Sequence, residues 1–178
     1  MKGNTSDSTA ATERTILDVP LEPAVLREHE DIEYDEQRYV HDDETHCAAD
    51  AAGRVVVGVT NGHGKVLVLV AGDDAVLPNR TVGPDEDWAS VARETAATTA
   101  GGPVALERVR AVRRIEHRAE GADSPHNVTF QVVVEATPAG EADPEVGGDD
   151  RTAGWFDEVP VDGGDGRGDA AADIRRFL

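Results

Sequence analysis

Residues 77–102 read LPNRTVGPDEDWASVARETAATTAGG, and this stretch predicts a loop followed by one amphipathic helix. Pro84 and Asp85 are typical of a helix start, because proline fits the first turn and aspartate can cap exposed backbone N–H groups. Glu86 and Asp87 add negative charge near the positive end of the helix dipole. We therefore expect the helix to run from about residue 86 to residue 100.

The apolar positions of this helix indicate which side packs against a core. Trp88, Val91 and Thr95 recur at helical spacing, so they are expected to share one face. The helix is followed by Gly101, Gly102 and Pro103. Glycine accepts the left-handed conformation of a helix C-cap and proline cannot continue the helix, so the predicted helix stops there.

Four stretches around this helix are predicted to form strands. Residues 55–60 and 65–70 are rich in β-branched residues and are joined by Asn61-Gly62-His63-Gly64, which is typical of a hairpin. Residues 127–136 alternate between two faces and give the clearest strand. The apolar residues of 104–118 also fit a helix, but their β-branched content favours a strand.

The two ends of the chain are expected to be less regular. Residues 1–13 are small and polar, which predicts disorder. A helix is expected from residue 23 to about residue 31. A second short helix is expected over residues 170–178, with three apolar residues that dock on the body: Ile174, Phe177 and Leu178.

The stretch 77–102 resembles the Nudix box, the loop-helix signature of the Nudix hydrolases. The box opens with a glycine six residues before its first glutamate. In one register, Leu77-Pro78, Glu86 and Gly101 match the flank, the first glutamate and the final glycine. Thr95 then replaces the next glutamate, and Thr98 and Thr99 replace the paired glutamates. In a second register, anchored on Arg93-Glu94, Asp85 replaces the first glutamate, and Ala97 and Thr98 replace the pair. The glutamate pair that holds magnesium in the family is absent from both registers.

The resemblance implies an α+β fold, a Nudix-like α/β/α sandwich with a mixed β-sheet. We expect it to cover residues 51–178, with residues 1–50 forming a partly disordered N-terminal extension. An unrelated α+β domain is the alternative.

The resemblance also implies a site that hydrolyses a nucleoside diphosphate linked to another moiety, with Mg²⁺ or Mn²⁺ as cofactor. Glu86, Glu94 and Glu135 are the candidate metal ligands, and Glu94 is also the candidate catalytic residue. Glu86 and Glu94 would lie about 12 Å apart on one continuous helix, too far to share an ion. Arg113 and Arg114 are candidate substrate-binding residues, because arginine matches phosphate oxygens; alternatively they neutralise an acidic surface.

Because the glutamate pair is missing, we expect the activity to be weakened or lost. The alternative is a catalytically silent Nudix-fold module that binds a nucleotide-like ligand or a protein partner.

Composition limits the remaining possibilities. The 178 residues carry 36 acidic and 17 basic side chains, a formal net charge of −19, and only Lys2 and Lys65 are lysines. This style resembles that of extreme halophiles, in which high salt screens the self-repulsion of the acidic surface. The acidity argues against nucleic-acid binding.

A single cysteine excludes an internal disulfide, and no stretch is apolar enough for a membrane helix, so we expect a cytoplasmic location. The sequence gives no signal for an oligomeric state.

One further cluster has metal-binding residue types. His41, His46 and Cys47 lie among acidic residues, but their spacing is irregular for a zinc site. A solvated acidic loop is the expected alternative.

Overall fold

The computed structural model describes residues 21–43, 50–140, 150–160 and 168–178. The disorder predicted for residues 1–13, and His46 and Cys47 of the polar cluster, lie outside these ranges. Eleven elements follow one another in the described chain: α1 (Pro23–Leu26), β1 (Glu33–His41), β2 (Gly53–Val59), β3 (Val66–Ala71), β4 (Asp74–Val76), β5 (Asn79–Val82), α2 (Trp88–Ala100), β6 (Val104–Ala119), β7 (Asn127–Pro138), β8 (Thr152–Phe156) and α3 (Gly168–Arg175).

The strands form one five-stranded mixed sheet and one three-stranded antiparallel sheet. The larger sheet has the order β1-β6-β7-β2-β5, and the smaller sheet has the order β4-β3-β8. In the larger sheet, β1 runs parallel to β6 and β2 runs parallel to β7, whereas β6–β7 and β2–β5 are antiparallel. The predicted α+β class with a mixed sheet is confirmed.

The two faces of the larger sheet are covered by different helices. On one face, Val91, Ala92 and Ala96 of α2 pack in a buried cluster with valines of the sheet that include Val112 and Val132. On the other face, Ile174 and Phe177 at the end of the chain pack in a second cluster. That cluster takes five buried apolar residues from the strands of both sheets: Val56, Ala111, Val133, Val66 and Val68. The larger sheet therefore lies between α2 and the α3 segment, as in a layered sandwich.

The predicted hairpin is wrong in its pairing, although its turn forms. Asn61 Oδ1 accepts hydrogen bonds from the backbone N–H groups of His63 and Lys65, at 2.9 and 3.1 Å, and Gly64 has a φ of 72°. The two strands then diverge, because β2 joins the larger sheet and β3 joins the smaller one. Only an isolated bridge between Thr60 and Val66 connects them.

The segment before residue 50 departs most from the prediction. The helix predicted over residues 23–31 ends at Leu26, and the chain then enters β1, which the sequence did not predict. Leu21, Leu26 and Ile32 are buried in the cluster beneath α2. Residues 21–41, which we placed in an N-terminal extension, thus contribute to the main sheet and its core.

Candidate functional site

Helix α2 begins and ends with well-formed caps. Asp87 is the N-cap residue, and its carboxylate accepts hydrogen bonds from the Ser90 backbone N–H and hydroxyl, at 2.9 and 2.7 Å. Both bonds lower the pKa of Asp87, the hydroxyl bond most. Gly101 has a left-handed conformation, with φ 75°, and its N–H donates to the Ala97 carbonyl. The helix therefore starts two residues later than predicted and stops as predicted.

The two candidate metal ligands of this segment are joined by an arginine. Arg80, in strand β5, places one terminal nitrogen 3.0 Å from Glu86 Oε1 and the other 3.2 Å from Glu94 Oε2. Glu86 also accepts a hydrogen bond of 2.8 Å from the Gly83 backbone N–H. The prediction that the two carboxylates stay about 12 Å apart is wrong. It assumed one continuous helix, whereas Glu86 lies in the loop before α2 and can turn back towards Glu94.

Three threonines occupy the box positions at which the first register expects glutamates. Thr95 donates its hydroxyl hydrogen bond to the Val91 carbonyl, at 2.7 Å, and Thr99 donates to the Thr95 carbonyl, at 3.0 Å. Thr98 is exposed. Two of the three hydroxyls are thus used by the helix backbone, and none of the three can supply the negative charge that Mg²⁺ needs.

Glu135, the third candidate ligand, lies on the opposite face of the sheet from α2. Successive side chains of a strand alternate between faces, so Glu135 shares its face with Val133 of the second cluster. Its Oε2 lies 2.7 Å from Arg108 Nε and 2.9 Å from Arg110 Nε, and Arg110 also sits over the Phe177 ring. The fold does not bring Glu135 together with Glu86 and Glu94.

The two candidate substrate-binding arginines are also separated by this alternation. Arg113 points to the α3 face, where it is buried and forms a two-pronged ion pair with Asp173, at 2.9 and 2.6 Å. Arg114 points to the α2 face, where it donates to Glu116 at 2.8 Å. The guanidinium of Arg113 is therefore committed to a carboxylate of the same chain, whereas that of Arg114 is partly exposed.

The acids of the described ranges do not fit a divalent metal centre. Among those residues, no group of three or more His, Cys, Asp or Glu side chains is placed to hold a metal ion. Mg²⁺ requires several hard oxygen ligands in near-octahedral geometry. Glu86 and Glu94 offer two carboxylates, and the space between them is taken by the Arg80 guanidinium.

His41, the one histidine of the polar cluster that the structure describes, contacts a histidine of β6. Its Nε2 lies 2.8 Å from Nδ1 of His117, and Nε2 of His117 lies 2.8 Å from the Thr129 hydroxyl. The imidazoles stack with their centroids 5.1 Å apart. This contact joins the end of β1 to β6, and a metal role with His46 and Cys47 stays a prediction.

Arg80 and Asp173 are the residues that sequence reasoning missed. Arg80 had a signal, because in the first register it stands six residues before Glu86, where the box has its opening glycine. Asp173 had none, because nothing local ties a helical aspartate to an arginine 60 residues earlier.

Comparison with known proteins gives only distant structural similarity. No protein-family profile matches the chain, and no curated protein sequence matches it. Among solved structures, a mutant form of the pyrophosphohydrolase BsRppH from Bacillus subtilis is 17% identical, with a TM-score of 0.40 over 67% of this chain and 71% of that one.

Two further solved structures are similar at the same level. A NUDIX family hydrolase from Clostridium perfringens is 14% identical, with a TM-score of 0.45 over 71% of this chain and 95% of that one. A MutT structure, from work on Aliivibrio salmonicida and Vibrio cholerae, is 11% identical, with a TM-score of 0.40 over 70% of this chain and 98% of that one. Similarities this low assign neither a family nor an activity.

Within the described ranges, no helix is both long and apolar enough to cross a membrane.

Proposed function

We propose that this chain is a Nudix-type domain in which metal-dependent hydrolysis of nucleoside diphosphates is weakened or lost. The Nudix assignment is supported by the resemblance of residues 77–102 to the box and by the caps of α2. In particular, Gly101 ends the helix where the first register has the final glycine of the box. The observation that carries the loss of activity is the Arg80 guanidinium bound between Glu86 and Glu94.

The chemistry explains why this substitution matters. Attack of water on a diphosphate builds charge on phosphoryl oxygens, and a divalent ion both stabilises that charge and activates the water. The box holds the ion with carboxylates on one helix face. Here the two carboxylates that remain share the Arg80 guanidinium, which offsets one of their two negative charges, and three threonines stand where further ligands are needed. If hydrolysis survives, Mg²⁺ or Mn²⁺ is the cofactor that we expect, with Glu94 as the residue most directly involved.

A turnover assay tests the loss. Formation of the product nucleotides from ADP-ribose, NADH, dinucleoside polyphosphates and 8-oxo-dGTP would be measured by chromatography, in high salt with Mg²⁺ or Mn²⁺. We expect rates at the level of the Glu94→Gln variant, with Glu120→Gln as a matched exposed control. Rapid turnover that is lost on adding EDTA, and lost in Glu94→Gln but not in Glu120→Gln, would contradict the proposal.

A gain-of-function design tests the Nudix assignment itself. Replacing Arg80 by Met and Thr95, Thr98 and Thr99 by Glu restores carboxylates at the first-register positions and removes the competing guanidinium. We expect this variant to bind Mn²⁺, measured by electron paramagnetic resonance, at least 10-fold more tightly than the parent. The control has the same Arg80→Met change with Ala97→Glu and Thr98→Glu, the second-register positions. Folded variants of both registers that bind Mn²⁺ no better than the parent would count against the assignment, and tighter binding by the second-register variant would reverse the choice of register.

A further inference from the structure

Three arginines surround Glu116 on the α2 face of the sheet. Arg114 and Arg118 flank it along β6, at 2.8 and 3.3 Å from its two carboxylate oxygens. Arg38 lies opposite Glu116 on β1, with its Nε 3.7 Å away. We call these four residues the Glu116 cluster. The hydrogen bonds from Arg114 and Arg118 lower the pKa of Glu116, with that from Arg114 the larger cause.

The Glu116 cluster is a positive patch on a strongly acidic chain. The three arginines and one glutamate of the cluster carry two net positive charges, whereas the whole chain carries −19. The nearby Glu36 carboxylate also attracts Arg114, and it accepts a hydrogen bond of 3.3 Å from the Tyr34 hydroxyl. A single carboxylate cannot satisfy three guanidiniums, each of which has five N–H donors.

Donors of the Glu116 cluster face the solvent. The side chain of Arg38 is 61% exposed, and its contact with Glu116 is longer than a hydrogen bond. Arg114 is about a quarter exposed and uses one terminal nitrogen on Glu116. Guanidinium groups can donate two parallel hydrogen bonds to phosphate oxygens, and the positive charge of the cluster attracts the negative charge of a phosphate ester.

We propose that the Glu116 cluster binds the phosphate groups of a small molecule, with Arg38 and Arg114 as the contacting residues and Glu116 orienting the Arg114 guanidinium in the free protein. The site lies on different residues from the Arg80 ion pairs. The proposal keeps the predicted substrate-binding role of Arg114 and adds Arg38 as a second contacting residue. Because phosphate binding needs no hydrolysis, this proposal can fail without affecting the proposed function.

The experiment is a calorimetric titration of the full chain with inorganic pyrophosphate, ADP and adenosine. We expect pyrophosphate and ADP to bind and adenosine not to bind. Arg114→Gln should weaken pyrophosphate binding at least 10-fold and Arg38→Gln several-fold. Arg175→Gln is the matched control, since it removes the same charge from an exposed position on α3, and it should change affinity less than twofold.

Two further outcomes make the test decisive. Glu116→Gln removes the carboxylate that competes for the same donors, so it should tighten pyrophosphate binding. Arg38 is exposed enough that its replacement cannot unfold the chain, which keeps the test valid if Arg114→Gln lowers the melting temperature. Absence of pyrophosphate binding, equal losses in Arg38→Gln and Arg175→Gln, or binding of adenosine as tight as that of ADP would each overturn the proposal. ADP affinity well above that of pyrophosphate would identify a nucleotide, rather than free phosphate, as the source of the bound group.

Discussion

Helices α2 and α3 pack on opposite faces of one sheet and use ion pairs differently. The pairs beside α2 are exposed: the side chains of Arg80 and Glu94 are 44% and 72% accessible. The pair beneath α3 is buried: Arg113 and Asp173 are 6% and 3% accessible. Charges that meet in solvent contribute little stability and remain available to ligands, whereas charges that meet in a core must stay paired. Buried arginines such as Arg113 therefore stabilise the fold, whereas exposed arginines such as Arg80 remain available to bind a ligand.

The largest expected effect comes from breaking the buried pair. Arg113→Gln removes both hydrogen bonds to the buried Asp173 carboxylate and leaves it the weaker contact with Arg176 Nε at 3.9 Å, so we expect a loss of about 3–5 kcal/mol in the free energy of unfolding. Urea denaturation would measure this loss, and Arg175→Gln, in the helix that carries Asp173, is the control that should change little. Arg113→Met combined with Asp173→Leu should recover most of the loss, because neither charge remains. A loss below about 1 kcal/mol would show that Arg113 is not a structural anchor.

An intermediate effect is expected at the start of α2. Asp87→Ala removes the side-chain cap and should cost about 1 kcal/mol at neutral pH. The folded pKa of Asp87 lies below its ordinary value of 3.8, so its contribution is complete above that value and disappears as pH falls through the folded pKa. Asp87→Asn should keep the cap but remove this pH dependence. Unfolding measured between pH 2 and pH 6 would contradict the assignment if all three proteins lost stability in parallel.

The smallest effect is expected at Arg80. Arg80→Met breaks two exposed ion pairs, so we expect a loss of about 1 kcal/mol or less, and less still in concentrated salt. Thermal unfolding at low and high KCl concentration would measure it, with Arg93→Met, at an exposed position of α2, as the control. A loss as large as that of Arg113→Gln would remove the distinction between the two faces.

These helices also show what the sequence could predict. Each cap of α2 is local, because Asp87 binds Ser90 within the first turn and Gly101 binds Ala97 within the last turn. The end of the helix was therefore predicted correctly. The strand character of residues 104–118 and 127–136 was likewise carried by their own β-branched residues. The polar strand β1 was missed because most of its side chains are exposed and give no apolar alternation.

The parts that failed depend on contacts distant in sequence. Apolar runs such as residues 55–59 do not reveal which strand they will pair with, so two strands of different sheets were read as a hairpin. The grouping of the candidate site residues also depends on contacts between residues that are distant in the sequence. Whether Glu135 faces α2 or α3 depends on the register of β7 in the sheet, and the fate of Arg113 depends on a carboxylate 60 residues away.

The ion pair between Arg176 and Glu33 has a consequence for how the protein is made. Glu33 is in β1, and its partner lies 143 positions later in the chain. At a synthesis rate of roughly 5–20 residues per second, β1 leaves the ribosome roughly 7 to 29 seconds before that partner does. Its parallel neighbour β6 is also far away, since Glu33 pairs with Ala111. Long-range parallel pairing is slow to form, so the nascent chain spends this interval with an unfinished sheet and is the form most dependent on chaperones.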